Sequence, residues 1–270
     1  MTQMADFFRS LSLPTMPAVA HELIRSLSND DAPLSQVRNA IAKDPALAVK
    51  LLRLANSARY GASRSVASID DAIAMVGASQ VRTLALASCL NDAFPVMPGL
   101  DPNRFWRTSQ ACGGYAHWLA GTIGCDSDQA WLTGFMVRLG ELVMAQHIPD
   151  CLNEIEKMPQ TPGCRWERES ALLGFTEGQV TAEMARRWQF PESVVKALDA
   201  SADPMAARPF SRLGGVLHVA ELLADAEPGS TDTIESLPPE LLAALKVDID
   251  WLRSHLPQAQ ANIEGASTVH

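Results

Sequence analysis

The chain has 270 residues, of which 47% are hydrophobic, 20% charged and 6% aromatic, and its formal net charge is −9. This composition places it among globular proteins and allows one large or two small domains. The acidic balance argues against nucleic acid or anionic lipid as a partner, because both repel an acidic protein that lacks a compensating basic patch.

Charge and cysteine usage add further expectations. Residues 35–90 carry seven basic and three acidic side chains, whereas residues 225–270 carry two basic and eight acidic ones, so one face should be mildly positive. The five cysteines are odd in number and never form a C-x-x-C pair, which is typical of small core residues in a reducing compartment. The N-terminus lacks a signal-peptide pattern and no uncharged stretch is apolar enough to cross a bilayer, so we expect a cytoplasmic protein.

Helix signals recur in the first hundred residues. The segments AVAHELIRSLSN and DDAPLSQVRNAIAK show helical apolar spacing, and Asp44 followed by a proline opens a further helix that ends near Gly61. Ser68 and Asp71 have the spacing of a capping box ahead of AIAMV. Gly77 then interrupts the apolar pattern before it resumes in ASQVRTLALASCL.

The rest of the chain is also helical in pattern. No alternation of apolar and polar residues bounded by hairpin turns occurs, so we predict an all-α fold. The segments 91–102 and 225–240 read as linkers, and residues from Gln258 onward lack apolar periodicity and are expected to fray. The predicted helices cover 102–122, 128–147, 165–173, 176–188, 191–200, 209–225, 238–245 and 248–256.

Residues 68–90 imitate a helix-turn-helix, because an apolar helix, Gly77 and a second helix follow one another. A DNA-reading helix needs a run of polar side chains, but Gln80, Arg82 and Thr83 are followed at once by LALASCL, a face suited to burial. We therefore favour two core helices that meet at a glycine corner over a nucleic-acid-binding segment.

The segment WLTGFMVRLGELVMAQH (131–147) sets Arg138 and Glu141 within an otherwise apolar stripe. The two charges either reach the edge of the helix or form an internal pair. The sequence carries few other signs of chemistry: the six histidines form no i, i+4 pair, and neither a nucleophile elbow nor a phosphate-binding glycine loop occurs.

Seven segments, taken in order over about residues 10–256, resemble the HDOD domain, an HD-related output domain of bacterial signalling proteins. The resemblance implies a multi-helix fold in which an N-terminal lobe (1–100) packs on a degenerate HD-like core (101–225), followed by acidic C-terminal helices and a tail (226–270). The segments are LPTMPAVAHELIRSL, IAKDPALAVKLLRLANSARYG, SIDDAIAMVGASQVRTLALA, FWRTSQACGGYAHWLA, AWLTGFMVRLGEL, ALLGFTEGQVTAEMARRWQFPESVVKAL and GGVLHVAELLA.

The family is similar to HD-type phosphohydrolases, including enzymes that cleave cyclic dinucleotides and hold divalent metals with histidines and aspartates. The resemblance implies a degenerate pocket here, because other residues occupy the metal-ligand positions. The His-Asp pair falls on Val137 and Arg138, and the lysine that follows it falls on Glu141. The remaining pocket positions fall on Thr108, Glu177, Asp199, His218 and Glu221.

An arginine at a metal position would repel a divalent cation by several kcal/mol even at an effective dielectric constant of about 20. A buried arginine without a partner would be very costly. We therefore predict that Arg138 is hydrogen-bonded to at least one of Glu141, Glu177 and Glu221, and that Asp199 is a further partner.

The resemblance thus implies a non-catalytic signalling module, without metal or cofactor, that binds a signalling protein; binding of a small ligand or nucleotide stays open, and no membrane partner is expected. Candidate contact surfaces are the cleft between the lobes and a patch formed by Arg53, Asn56, Arg59 and Tyr60. Two alternatives remain. One is a metal-dependent phosphohydrolase or cyclic-dinucleotide phosphodiesterase with a relocated site, and the other is a nucleic-acid-binding regulator acting through residues 68–90.

Overall fold

The computed structural model describes residues 2–9, 13–27, 34–56, 66–94, 100–156, 161–226 and 232–267, and every regular element among them is a helix. The predicted all-α fold is confirmed. The helices are α1 (Thr2–Arg9), α2 (Ala18–Leu27), α3 (Leu34–Ala42), α4 (Pro45–Ala55), α5 (Ile69–Val76), α6 (Ala78–Ala93), α7 (Pro102–Ile123), α8 (Ser127–Met136), α9 (Leu139–His147), α10 (Pro149–Glu156), α11 (Cys164–Leu173), α12 (Glu177–Arg187), α13 (Glu192–Asp199), α14 (Arg212–Asp225), α15 (Asp232–Ser236), α16 (Pro239–Leu245) and α17 (Ile249–Ser267).

Helices α2 to α6 pack against one another in the first part of the chain. The Asp44 carboxylate accepts two backbone N–H groups of the first turn of α4, both at 3.1 Å, and so caps that helix as predicted. Ser68 and Asp71 form the predicted capping box at the start of α5. Gly61, predicted to end the preceding helix, lies outside the described residues.

Helices α5 and α6 meet at Gly77, whose φ of 89° lies in the region that favours glycine, and the two axes are bent by 118°. Helix α6 packs on α2, α4 and α8. Its residues Val81 and Leu90 are fully buried, and Arg82 donates to the backbone carbonyl of Ser26 at 2.8 Å. The pair therefore forms core helices that meet at a glycine corner, as its apolar pattern predicts.

Helix α7 has 22 residues and packs along α8, α14 and α17. Asp101 caps it, and Pro102 occupies the first position, where the missing N–H of proline would have no helical partner. Trp118 of α7 stacks on Trp251 of α17 with ring centroids 5.1 Å apart. Helix α9 packs on α12, α12 on α13, and α13 on α14. Helix α14 in turn packs on α7 and α8, so these helices enclose the core.

Several predicted boundaries were wrong. The helix predicted over 128–147 is broken at Val137 and Arg138 into α8 and α9. The C-terminal segment does not fray at Gln258, and α17 continues to Ser267. Ala259 and Ile263 lie four positions apart, on one face of the helix, and pack against the core. Helices α1, α10 and α15 were not predicted, since each has only five to eight residues and gives too short an apolar pattern.

No single described helix is both long and apolar enough to cross a membrane; α5 and α6 meet that criterion only when they are counted together across their bend. All five cysteines are free, and Cys89 and Cys112 lie in the core. The division of the chain at residues 100 and 225 stays a prediction.

Candidate functional site

The candidate site is built around the break between α8 and α9. Arg138 has φ −89° and ψ 3°, which lies in the sparsely populated bridge region between α and β conformations. Thr181 of α12 spans the break, because its hydroxyl accepts the Gly140 N–H at 2.8 Å and donates to the Val137 carbonyl at 2.9 Å. One buried side chain thus satisfies two backbone groups next to Arg138 and fixes the position of that residue.

Helices α9 and α12 lie in close contact at Gly140. A Cβ atom at this position would lie 2.1 Å from the carbonyl oxygen of Glu177, a distance that no side chain tolerates. Glycine is therefore required here, and the close approach brings the start of α12, with the Glu177 side chain, up to the break that carries Arg138.

Arg138 is an internal cation. Its side chain is 13% exposed, and its guanidinium donates to Glu141 at 3.2 Å and also to Asp225. The hydrogen bond to Glu141 confirms the prediction made for Arg138. Sequence reasoning missed Asp225, which lies 87 residues away at the end of α14 and within a segment that reads as a linker.

A second buried guanidinium, Arg165 near the start of α11, joins the same group of acids. Its side chain is 6% exposed and lies 2.9 Å from Glu169, 3.2 Å from Glu177 and 3.7 Å from Glu141. Glu141 therefore lies between Arg138 and Arg165, whereas Glu177 pairs with Arg165 and not with Arg138. Sequence reasoning missed Arg165 and Glu169; their i, i+4 spacing was the one signal, and such a spacing is equally common on exposed helix faces.

The prediction that Asp199 is a partner of Arg138 is wrong. Asp199 is exposed at the end of α13. Its partial desolvation raises its pKa, and the nearby cation that partly offsets this effect is Arg186. The reason lies in the pattern of α13, where Val194 and Leu198 are fully buried and the following position faces outward.

His218 and Glu221 lie one turn apart on α14. His218 Nδ1 lies 2.7 Å from the Ser201 carbonyl oxygen, and its ring packs on Trp166 with centroids 4.5 Å apart. Burial lowers the pKa of His218, which suits a neutral, packed histidine. Glu221 is 2% exposed, and burial raises its pKa to about 8 although Arg138 lies nearby.

The buried glutamates around Arg138 and Arg165 differ in the direction of their pKa shifts. Burial alone would raise the pKa of Glu141, but Arg165 and Arg138 outweigh it and lower that pKa. Burial raises the pKa of Glu177 well above its usual range, against the attraction of Arg165. Glu141 therefore favours the ionised form, whereas Glu221, with a pKa of about 8, favours the protonated form at neutral pH because burial outweighs the attraction of Arg138. The Arg138–Arg165 cluster consists of Arg138, Glu141, Arg165, Glu169, Glu177, Glu221 and Asp225.

A cavity of about 280 Å³ opens beside this cluster. Of the residues predicted to form the pocket, Thr108, Arg138 and Glu141 line it. The others are not part of its lining: Asp199 is exposed on α13, and Val137, Glu177, His218 and Glu221 are buried. The N-terminal ends of α7, α9 and α11 meet at the cavity. The other lining residues are Leu100, Asp101, Arg104, Phe105, Thr161, Arg165 and Asp225.

The cluster does not fit a divalent metal ion of the kind that HD-type enzymes hold. A cation placed among Glu141, Glu177 and Glu221 would face Arg138 and Arg165, and each guanidinium would repel it by several kcal/mol even at an effective dielectric constant of about 20. In the part of the chain that the structure describes, no group of three or more His, Cys, Asp or Glu side chains has the arrangement of a metal site.

The patch predicted to contact a partner is only partly described. Arg53 is exposed on α4. The Asn56 side chain donates to the carbonyl of Val66 and accepts the N–H of the same residue, both at 2.8 Å, so it connects the end of α4 to the segment before α5. Arg59 and Tyr60 lie outside the described residues. The role of this patch stays a prediction.

Comparison with known proteins extends these observations. The family model of the HDOD domain matches residues 13–204. A curated relative, an uncharacterized protein of Treponema pallidum (strain Nichols), is 27% identical over 268 residues. The match covers 95% of this chain and 50% of that protein, so the chain spans about half the length of the curated relative it matches.

Solved structures share the architecture. A candidate phosphohydrolase from Shewanella amazonensis SB2B is 27% identical with a TM-score of 0.79, and the match covers 98% of this chain and 97% of that one. A candidate signal transduction protein from Marinobacter aquaeolei VT8 is 21% identical with a TM-score of 0.79, and the match covers 98% of this chain and 64% of that one.

Proposed function

This chain belongs to the HDOD domain family, and from that premise we propose that it is a non-catalytic signal-transduction module, which binds a partner protein or a small ligand and does not hydrolyse a phosphoester. The Arg138–Arg165 cluster is the observation that carries the proposal. A metal-dependent hydrolase needs a divalent ion to lower the pKa of a water molecule. Here two permanently charged guanidinium groups pair with the acids that would otherwise surround such an ion.

A metal-dependent phosphohydrolase is the second candidate, and the name of the Shewanella protein favours it. Two features of this chain count against it. Arg138 occupies the position that the family resemblance assigns to a metal-binding aspartate, and its guanidinium is held in place by Glu141 and Asp225. A hydrolase would have to move that side chain out of a buried pair, which costs several kcal/mol.

Metal analysis combined with a hydrolysis assay tests the proposal. The full chain would be incubated with Mn²⁺, Fe²⁺ or Mg²⁺, desalted, and examined for bound metal and for cleavage of bis(p-nitrophenyl) phosphate. We expect substoichiometric metal and no cleavage above a buffer control. Stoichiometric metal together with cleavage that Glu177→Gln abolishes would establish the hydrolase instead.

The partner-binding part of the proposal is tested at the exposed patch on α4. The full chain, Arg53→Ala and Arg25→Ala would be used to capture proteins from the native host, with identification by mass spectrometry. Arg25 is a suitable control because it is an exposed arginine on α2 and lies outside the patch. A partner retained by the control and lost by Arg53→Ala supports the patch, and equal retention by both variants excludes Arg53 from the contact.

A further inference from the structure

Three arginines line the cavity beside the Arg138–Arg165 cluster, and they differ in what they contact. Arg138 and Arg165 are buried and held by carboxylates: Arg138 lies 2.5 Å from Asp225 and 3.2 Å from Glu141, and Arg165 lies 2.9 Å from Glu169. Arg104 lies on the exposed first turn of α7, and among the described residues its guanidinium forms no ion pair. The cavity thus combines two fixed cations in its wall with a third that is free to bind a ligand.

The carboxylates that line the same cavity already have donors. Asp101 accepts the backbone N–H groups at the start of α7, at 2.9 Å and 3.3 Å. Glu141 lies between Arg138 and Arg165, and Asp225 accepts from Arg138. These acids therefore neutralise the wall. None of them forms an ion pair with the Arg104 guanidinium, although Glu141 is near enough for Arg104 to contribute to its lowered pKa.

The positions next to Arg104 supply the other features of a small-molecule site. Thr108 follows it by four residues on α7, so the two side chains lie on the same face of the helix and both line the cavity. Leu100 and Phe105 give the cavity an apolar wall. The starts of α9 and α11 add positive helix ends, and neither helix is capped by the side chain of its own N-cap residue, although Thr181 accepts the Gly140 N–H of α9.

We propose that this cavity binds a small oxyanion, the phosphate or carboxylate group of a metabolite-sized molecule, with the Arg104 guanidinium as its anchor and the Thr108 hydroxyl as a second donor. A guanidinium binds either group through two parallel N–H donors. The apolar wall formed by Leu100 and Phe105 then contacts the organic part of the ligand. The inference rests on the proposed function only in treating the cavity as a binding site and not as a catalytic centre.

Isothermal titration calorimetry of the full chain tests this proposal with three probes: inorganic phosphate, phenyl phosphate and benzoate. The two aromatic probes share a phenyl ring and differ in the anionic group, so they distinguish a phosphate site from a carboxylate site. The variants are Arg104→Gln, Thr108→Val and Arg107→Gln. Arg107 is an exposed arginine on the same helix that does not line the cavity, and it is the matched control.

We expect saturable binding of at least one aromatic probe, weakened at least about tenfold by Arg104→Gln, weakened less by Thr108→Val, and unchanged by Arg107→Gln. Absence of saturable binding of all three probes, equal binding by Arg104→Gln, or equal loss in Arg107→Gln would overturn the proposal. Release of phenol from phenyl phosphate is measured in parallel, because hydrolysis would contradict the proposed non-catalytic function while leaving an oxyanion site intact.

Discussion

Arg165 and Arg186 both pair with glutamates of nearby helical turns, but one does so in the interior and the other in water. The Arg165 side chain is 6% exposed and serves three acids. The Arg186 side chain is 52% exposed and pairs with Glu183. Exposed pairs contribute little because water already solvates both charges, whereas removing one member of a buried pair leaves the other charge without solvent or partner.

The residue-scale prediction follows from that contrast. Arg165→Met keeps the side-chain volume and removes the charge, and we expect it to lower the free energy of unfolding by about 3–5 kcal/mol. Arg186→Met should change it by less than about 1 kcal/mol. Urea unfolding followed by circular dichroism measures both variants against the parent chain. Losses of equal size would show that burial does not set the strength of the Arg165 pairs.

At the scale of elements, the position of α9 against α12 depends on Gly140. Gly140→Ala would place a methyl group 2.1 Å from a backbone oxygen of Glu177, and backbone cannot move aside as a flexible side chain can. We expect a loss of about 3 kcal/mol or more in the free energy of unfolding. The measurement is again denaturant unfolding of purified protein.

Gly121→Ala is the matched control for that substitution. Gly121 is also helical, but it is exposed on α7 and the nearest atom to an added Cβ is the side-chain oxygen of Ser127 at 3.3 Å. Alanine favours the helix over glycine by about 0.5–1 kcal/mol, so this variant should be neutral or slightly more stable. If both variants lose stability alike, the close approach of α9 and α12 is not what makes Gly140 necessary.

The ends of the helices differ in how well they could be predicted from the sequence. The starts of α4 and α5 were predictable, because Asp44 and Ser68 act on backbone groups within three residues. The break between α8 and α9 was not, because Thr181, the side chain that spans it, lies 44 residues from Val137. The pair Arg138–Glu141 could be predicted from one helical turn, whereas the partners supplied by other helices depend on tertiary packing that spacing does not encode.

At the scale of the whole molecule, acids outnumber bases by 31 to 22, and the same imbalance recurs in the interior. The Arg138–Arg165 cluster has five carboxyl groups for two guanidinium groups, so its full ionisation would leave uncompensated negative charge in a medium that solvates it poorly. The stability of the fold is therefore linked to how many protons the cluster holds.

Glu221 gives this linkage a direction. Burial raises its pKa from the ordinary value of 4.5 to about 8 in the folded chain. The folded state then binds a proton that the unfolded state has already released, and between these two pH values each increase in pH favours unfolding. The contribution of Glu221 to stability is fully present below about pH 4.5 and is lost as the pH rises through about 8.

Glu221→Gln keeps the shape of the protonated acid and removes its titration, so its unfolding free energy should depend less on pH across that window. At pH 9 the variant should be more stable than the parent chain by on the order of a few kcal/mol, and near pH 5 the two should be similar. Urea unfolding at a series of pH values measures this.

Glu192→Gln, which removes an exposed carboxylate on α13, is the control, and its unfolding free energy should depend on pH as that of the parent chain does. If Glu221→Gln shows the same pH dependence as the parent chain, the titration of Glu221 does not cause that dependence, and another acid of the cluster must.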